Sequence, residues 1–320
     1  MFHLVGNRAN SLRQYRLFAA GLVVLLPLAG CNTQQSSTPA QTGPQTFSSL
    51  GDAGTALENA AKTQDQNALQ KIFGPGSSNV LFSGDATEDK VALGGFAQAY
   101  QVMNRWKKLG DGSELLLVGA DNQAFPIPLM KNANGQWYFD TAAGKEEILS
   151  RRIGYDEITA IGVCDALASA QSQYFSQRHG GVKQYAQKFI SDNGQANGLY
   201  WPEANGVPRS PLGPLVAYAT SEGYKADPGR HQPFNGYYFA MLSGRGPNAT
   251  GGQKNYISNG KMTGGFAAIA YPAAYGDSGI MTFLVNQNGL ILQKDLGSST
   301  TQIASAMTDF NPDGTWTVVQ

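Results

Sequence analysis

Two of the chain's Asn-Gly dipeptides, Asn134-Gly135 and Asn288-Gly289, are each bracketed by short runs of aliphatic and aromatic residues. Glycine takes up the left-handed backbone of a two-residue loop without steric cost, so each dipeptide ties a pair of antiparallel strands together. Around the first, residues 114–118, 124–130 and 136–140 read as three strands. Pro126 and Pro128 cannot donate to a ladder, which pushes the middle strand to an edge or a bulge. Around the second, residues 281–285 and 290–293 pair, with further strands expected at 237–242 and 266–271. Each set follows apolar residues at helical spacing. Ahead of the first set, Ala53, Ala56, Leu57, Ala60 and Ala61 give one short helix, and Ala68, Leu69, Ile72 and Phe73 give another that ends at Gly74. A third helix is expected over 89–106, with Phe96, Tyr100, Met103 and Trp106 near one face. Ahead of the second set, Ile158, Ile161, Ala168 and Phe175 place a longer helix from near Asp156 to a stop at Gly180-Gly181. Between 185 and 236 the chain is rich in Gly, Pro, Asn and Tyr, and only short helical turns are expected. The expected fold class is α+β, in two modules of helices followed by an antiparallel sheet, over 47–150 and 151–320.

The first 46 residues stand apart from this pattern. Arg8, Arg13 and Arg16 lie in a stretch without an acid, and residues 17–28 form an apolar run. That is the layout of a secretory signal, and the run is too short for the roughly 20 apolar residues of a bilayer span. Leu28, Ala29, Gly30 and Cys31 close it, and they resemble a bacterial lipobox. The resemblance implies cleavage between Gly30 and Cys31 and a diacylglycerol on the Cys31 thiol, with residues 1–30 removed as the signal peptide. Two or more acyl chains, at about 0.8 kcal/mol per buried methylene, hold a protein on its membrane. Asn32 after the cysteine implies sorting to the periplasmic face of the outer membrane. Residues 31–46 carry no charge and almost nothing apolar, so they read as a disordered tether spanning roughly 20 Å.

Composition narrows the partners. Lys and Arg number 23 against 23 Asp and Glu, so there is no electrostatic footprint for nucleic acid. Loss of the leader would leave the chain mildly acidic. Charged residues are 14% of the chain and hydrophobic ones 42%, which gives a weakly charged protein with enough apolar surface for a core. Of two cysteines, Cys31 is committed to lipid, so Cys164 has no intramolecular disulfide partner and reads as a buried, inert thiol within an apolar helix.

No residue set points to a catalytic centre, a metal or a cofactor. His179 beside Arg178 reads as a cation at a helix C-terminus, and His231 as a solvated loop residue. Asp85, Glu88 and Asp89 lack the alternation of a calcium loop, and Asp85 or Thr87 is better understood as a helix N-cap. Glu147 and Arg151, four apart, read as a surface pair. The glycine-rich stretches 244–252 and 260–265 lie between expected strands and lack the context of a phosphate loop. Tyr200 and Trp201 would form a contact platform if exposed, and core if buried; burial is favoured.

Several stretches carry a resemblance: 83–85 (Ser-Gly-Asp), 126–129, 137–141, 144–147, 151–154, 198–201, 210–213, 260–266 and 295–297. Through them the chain resembles a bacterial family, domain of unknown function 2950, along its length after the leader. That likeness implies a fold and no catalytic residue. Residues 157–161, 170–174, 236–239, 266–272 and 279–283 resemble the soluble part of type IV pilin-like proteins, a helix packed on a meander, without the apolar stem. The element order of the first module resembles the cone named after nuclear transport factor 2. The expected function is a lipid-anchored cell-envelope component, structural or interacting rather than catalytic. Its expected partners are the membrane through Cys31 and envelope proteins or cell-wall glycan. A small-ligand or glycan-binding module is the alternative, and a cell-wall hydrolase the third reading.

Overall fold

The computed structural model describes residues 42–225 and 232–319. Gly30, Cys31, the leader, most of the expected tether, and His231 lie outside the described residues. The described chain is mixed α+β with several sheets, nearly all of them antiparallel.

Helices come first. Ser49 and Asp65 cap α1 (Leu50–Thr63) and α2 (Gln66–Phe73) by accepting from Asp52 N and Ala68 N. The short α3 (Ser78–Leu81) leads into α4 (Ala86–Val102), which Asp85 caps. Strands β1 (Asn104–Lys108), β2 (Glu114–Val118), β3 (Gln123–Ala124), β4 (Leu129–Lys131) and β5 (Trp137–Phe139) follow in the sheet order β1-β2-β4-β5, with β3 beside β2. Phe47 bridges to Trp137 and fixes the entering chain alongside β5. The helix expected to reach Trp106 stops at Val102: Met103 is extended, and β1 pairs with the whole of β2, from Asn104↔Val118 to Lys108↔Glu114. The strand expected over 124–130 is two pieces, because Pro126 and Pro128 interrupt the ladder while Phe125 and Ile127 fill the core. There Phe73 meets Phe139 at 5.1 Å between ring centroids, and Phe96 meets Phe125 at 5.3 Å.

The next helix differs most from expectation. Helix α5 runs from Thr141 to Ser176, 36 residues, a length of about 54 Å at 1.5 Å per residue. It starts about four turns before Asp156 and ends before Gly180-Gly181, which instead form the turn between β6 (Arg178–His179) and β7 (Val182–Lys183). The boundary drawn at 150/151 therefore falls inside one continuous helix. Gly144, a poor helix former, is accommodated because a Cβ there would stand 2.7 Å from Ile127 Cγ1 and 2.8 Å from Pro126 O. Helix and loop approach as closely as backbone allows. Ile148 belongs to the first core, and Ala160, Cys164, Leu167 and Tyr174 to the second.

After α6 (Gly213–Ser221) come β8 (Tyr237–Leu242), β9 (Gly244–Arg245), β10 (Lys254–Asn255), β11 (Ile257–Ser258), β12 (Lys261–Met262), β13 (Ala267–Pro272), β14 (Met281–Asn286) and β15 (Ile291–Asp295). Helix α7 (Thr300–Ser305), β16 (Asp309–Phe310) and β17 (Thr317–Val318) complete the chain. The main sheet has the order β17-β15-β14-β13-β8, antiparallel throughout; β16 pairs with β9 in parallel. Both α5 and α7 lie against β13, every residue of which is buried.

The two glycines in the first half of α5 should respond in opposite ways. Gly144→Ala should lower stability by about 1–3 kcal/mol through overpacking against Ile127. Gly154→Ala, where nothing lies within 4 Å of the added carbon, should raise it by about 0.5–1 kcal/mol. Urea denaturation of the two variants checks both signs.

Candidate functional site

The two modules meet around charged side chains that are buried or partly buried. The turn at 83–85 enters α4 with the Asp85 carboxylate folded back: its Oδ1 accepts from Thr87 N at 3.0 Å and from Glu88 N at 3.2 Å, as the N-cap expectation requires. Its other oxygen accepts from Tyr224 Oη at 2.7 Å, across 139 residues of sequence. The same tyrosine oxygen accepts from Asn235 N at 3.1 Å. Asp89 Oδ1 takes the Ser83 N–H at 2.9 Å and closes the turn.

From α5, Arg152 and Asp156 enter this space one turn apart, both 0% exposed. Arg152 Nη2 donates to Val80 O in α3 at 2.7 Å. Its Nε and Nη1 find no acceptor among the described residues. Asp156 is boxed in by backbone: Gly236 has φ +70°, and a Cβ there would collide with Asp156 Oδ2 and Ser278 Cβ. Ser278 Oγ donates to Gly236 O at 2.8 Å and holds that turn in place.

Arg152 is close enough to Asp89 and Asp156 to pull the pKa of each downward. Burial raises the pKa of Asp85 and Asp89 above the ordinary carboxylate range. Burial raises Asp156 much further, the facing Glu88 adds to the effect, and Arg152 opposes it. Neither Asp156 side-chain oxygen has a hydrogen-bond partner among the described residues. Burial, and then the Asp85 charge, keep the Tyr224 hydroxyl protonated, so it remains a donor. Glu157, the next residue on α5, turns to the sheet and accepts from Ile280 N and Met281 N, each at 2.9 Å.

The other candidates lie elsewhere. Glu147 and Arg151 form the expected surface pair at 2.7 Å, worth a few tenths of a kcal/mol. The His179 ring stacks on Tyr174 at 3.6 Å, and its Nε2 contacts Tyr174 O at the end of α5, a helix C-terminal contact as expected. Cys164 is buried and burial pushes its thiol up to about 12. Trp201 is buried and donates to Pro208 O, with Tyr200 packed against the same core. The glycine-rich loops serve turns: Arg245 is wrapped by Gly251 O and Gly252 O, and Asn259-Gly260 is the β11–β12 hairpin. Among the described residues no three of His, Cys, Asp or Glu could hold a metal ion, and no helix is long and apolar enough to cross a membrane.

Sequence reading missed Arg152 and Asp156 because the stretch 144–152 looks like a solvated charged surface. The signal is the buried stripe of α5 continued upstream: Leu167, Val163 and Ala160 lead back to Asp156, Arg152 and Ile148 at helical spacing.

The contacts rank the expected losses. Tyr224→Phe removes the charge-assisted hydrogen bond to Asp85, leaves the buried Asn235 N–H without its acceptor, and should cost about 1.5–3 kcal/mol. Arg152→Ala leaves buried carboxylates without their cation and should cost about 3–5 kcal/mol. Denaturation midpoints at pH 7 give the order directly.

Neither the curated proteins nor the solved structures contain a match to this chain. A family model described as protein of unknown function (DUF2950) matches residues 44–319, which takes in both cores and every residue of the buried junction. The chain is a member of the DUF2950 family.

Proposed function

We propose that this chain is a lipid-anchored protein of the bacterial cell envelope whose folded part is a non-catalytic structural or interaction component. The observation that carries the structural part is α5, one helix that belongs to both hydrophobic cores. A helix shared in this way joins the modules without a flexible linker and suits a protein that holds something at a set distance. The anchored part rests on Arg8, Arg13 and Arg16, the apolar run and Gly30-Cys31, with Asn32 favouring the periplasmic face of the outer membrane. Tethering raises the effective concentration of the folded part toward neighbours on that membrane. Envelope proteins and cell-wall glycan are the partners that follow.

The second module reads as pilin-like, supported by the five-stranded meander against the C-terminal half of α5. Its helix has no free stem, because the upstream half packs Ile148 into the first core. For the first module, α1, α2 and α4 beside an antiparallel sheet support the cone-like reading.

A small-ligand or glycan-binding role has one observation in its favour. A groove of about 390 Å³ opens between Pro44, Phe73, Pro75, Ser77, Tyr138 and Lys145, and the nearly buried Ser77 hydroxyl in its wall has no partner among the described residues. A hydrolase reading fits less well: the carboxyls with raised pKa are Asp85, Asp89 and Asp156, and Asp156 is enclosed where no substrate reaches it.

Cys31→Ser should move the protein from the membrane to a soluble or unprocessed form; unchanged fractionation with normal cleavage overturns the anchor. Crosslinking in intact cells followed by pull-down should recover envelope proteins. Recovery of glycan strands alone would shift the reading to the groove.

A further inference from the structure

Two stretches of the second module contain no acidic residue, 166–191 and 228–276. The first includes Arg178, Lys183 and Lys188, and the second Arg245, Lys254 and Lys261. The fold brings three of these cations together. In the β6–β7 hairpin Arg178 and Lys183 are direct register partners. Lys261, in β12, donates from Nζ to Gly180 O in the hairpin turn at 3.0 Å, and Arg178 Nη1 donates to Gly181 O at 2.9 Å. A bridge between Tyr185 and Met262 fastens the two hairpins to each other. Arg178 and Lys183 are exposed and Lys261 is half-buried. Among the described residues none of the three has an ion pair; those belong to Arg151, Lys188, Arg209 and Lys294. In β9–β10, Lys254 faces Arg245 in the same like-charge register, with Asp309 paired to the adjoining Gly244.

Like charges directly opposite on an antiparallel pair destabilise it. The hairpin gains nothing from setting Arg178 against Lys183, and a glutamate in place of either would serve folding better. Such a pair answers to an anion from outside the chain. Its place in the molecule narrows the choice. Helix α5 begins beside the entering chain, where Pro44 and Thr141 line one groove and Thr141 Oγ1 donates to Phe73 O. Arg178 stands two residues past the other end of that helix, about 54 Å away. A tether joined at Thr42 leaves the cations on the side of the molecule remote from the attachment.

We infer that Arg178, Lys183 and Lys261 form a docking surface for the carboxylate-bearing glycan of the cell wall, held out at the far end of α5. The identity of the partner rests on the envelope reading proposed above. Arg178 keeps Nε and Nη2 for a carboxylate, and the two lysines act as point charges beside it. A membrane surface suits these residues less well, because the anchor would hold the membrane at the opposite end.

Co-sedimentation of the full chain with isolated cell-wall sacculi tests the surface. Binding should weaken as salt rises, since exposed charges are screened. Arg178→Gln, Lys183→Gln and Lys261→Gln should each weaken it about two- to five-fold, and the three together about 10- to 100-fold. Lys145→Gln, which removes an exposed cation from the groove beside Tyr138, should leave binding unchanged. Lys183→Glu separates binding from folding: it opposes unlike charges in the hairpin, so the denaturation midpoint should hold or rise while binding falls. Full binding by the triple variant, an equal loss from Lys145→Gln, or no binding to sacculi with a preference for phosphatidylglycerol over phosphatidylcholine vesicles would each overturn the proposal. Sacculus binding does not involve Cys31, so a failed anchor and a failed docking surface give different results.

Discussion

Arg152 and Asp156 sit one helical turn apart, wholly out of water, at the place where two hydrophobic cores come together. Burying an ionised group costs several kcal/mol even after relaxation, and attraction between opposite charges returns that only with good geometry. Here the cost is reduced in two ways. The guanidinium is tied to a carbonyl of α3, and burial favours the neutral form of the Asp156 carboxyl. An apolar pair of similar volume would hold the modules at least as firmly. What the polar arrangement adds is registry, because Asp85, Tyr224, Gly236 and Ser278 fit around it in one way.

That registry depends on the length and continuity of α5. The helix carries Ile148 into one core and Tyr174 into the other, so a break near its middle would release Arg152 and Asp156 from their partners. Close contact at Gly144 holds the upstream half against the Pro126–Ile127 backbone. Hydrophobic packing thus fixes the helix at both ends, and the ionic junction reads out its position between them.

The strands were legible where the turn chemistry was explicit. Asn134-Gly135 and Asn288-Gly289 both connect paired strands, and Asn235-Gly236 and Asn259-Gly260 make tight turns of the same kind. β1 was hidden because its five residues hold one apolar side chain, Trp106, so alternation cannot be seen; exposed Arg105, Lys107 and Lys108 instead mark it as a charged sheet edge. The start of α5 was hidden because Gly144 and a run of charges resemble a loop, and only the Ile127 contact explains why a glycine serves there. The N-cap at Asp85 and the Glu147–Arg151 pair were local and readable. Arg152, Asp156 and Tyr224 were not, since their partners lie on remote segments and no local pattern separates a buried charge from a solvated one.

The apolar stripe on the C-terminal half of α5, from Ala160 to Tyr174, is made early and covered late. Its cover is β13, β14 and β15, and the first of these begins only at Ala267. A chain emerging from a ribosome or an export channel would therefore present a finished, sticky helix for the whole time the intervening loops are delivered. A chaperone that recognises amphipathic helices would find this stripe in the interval before the sheet covers it.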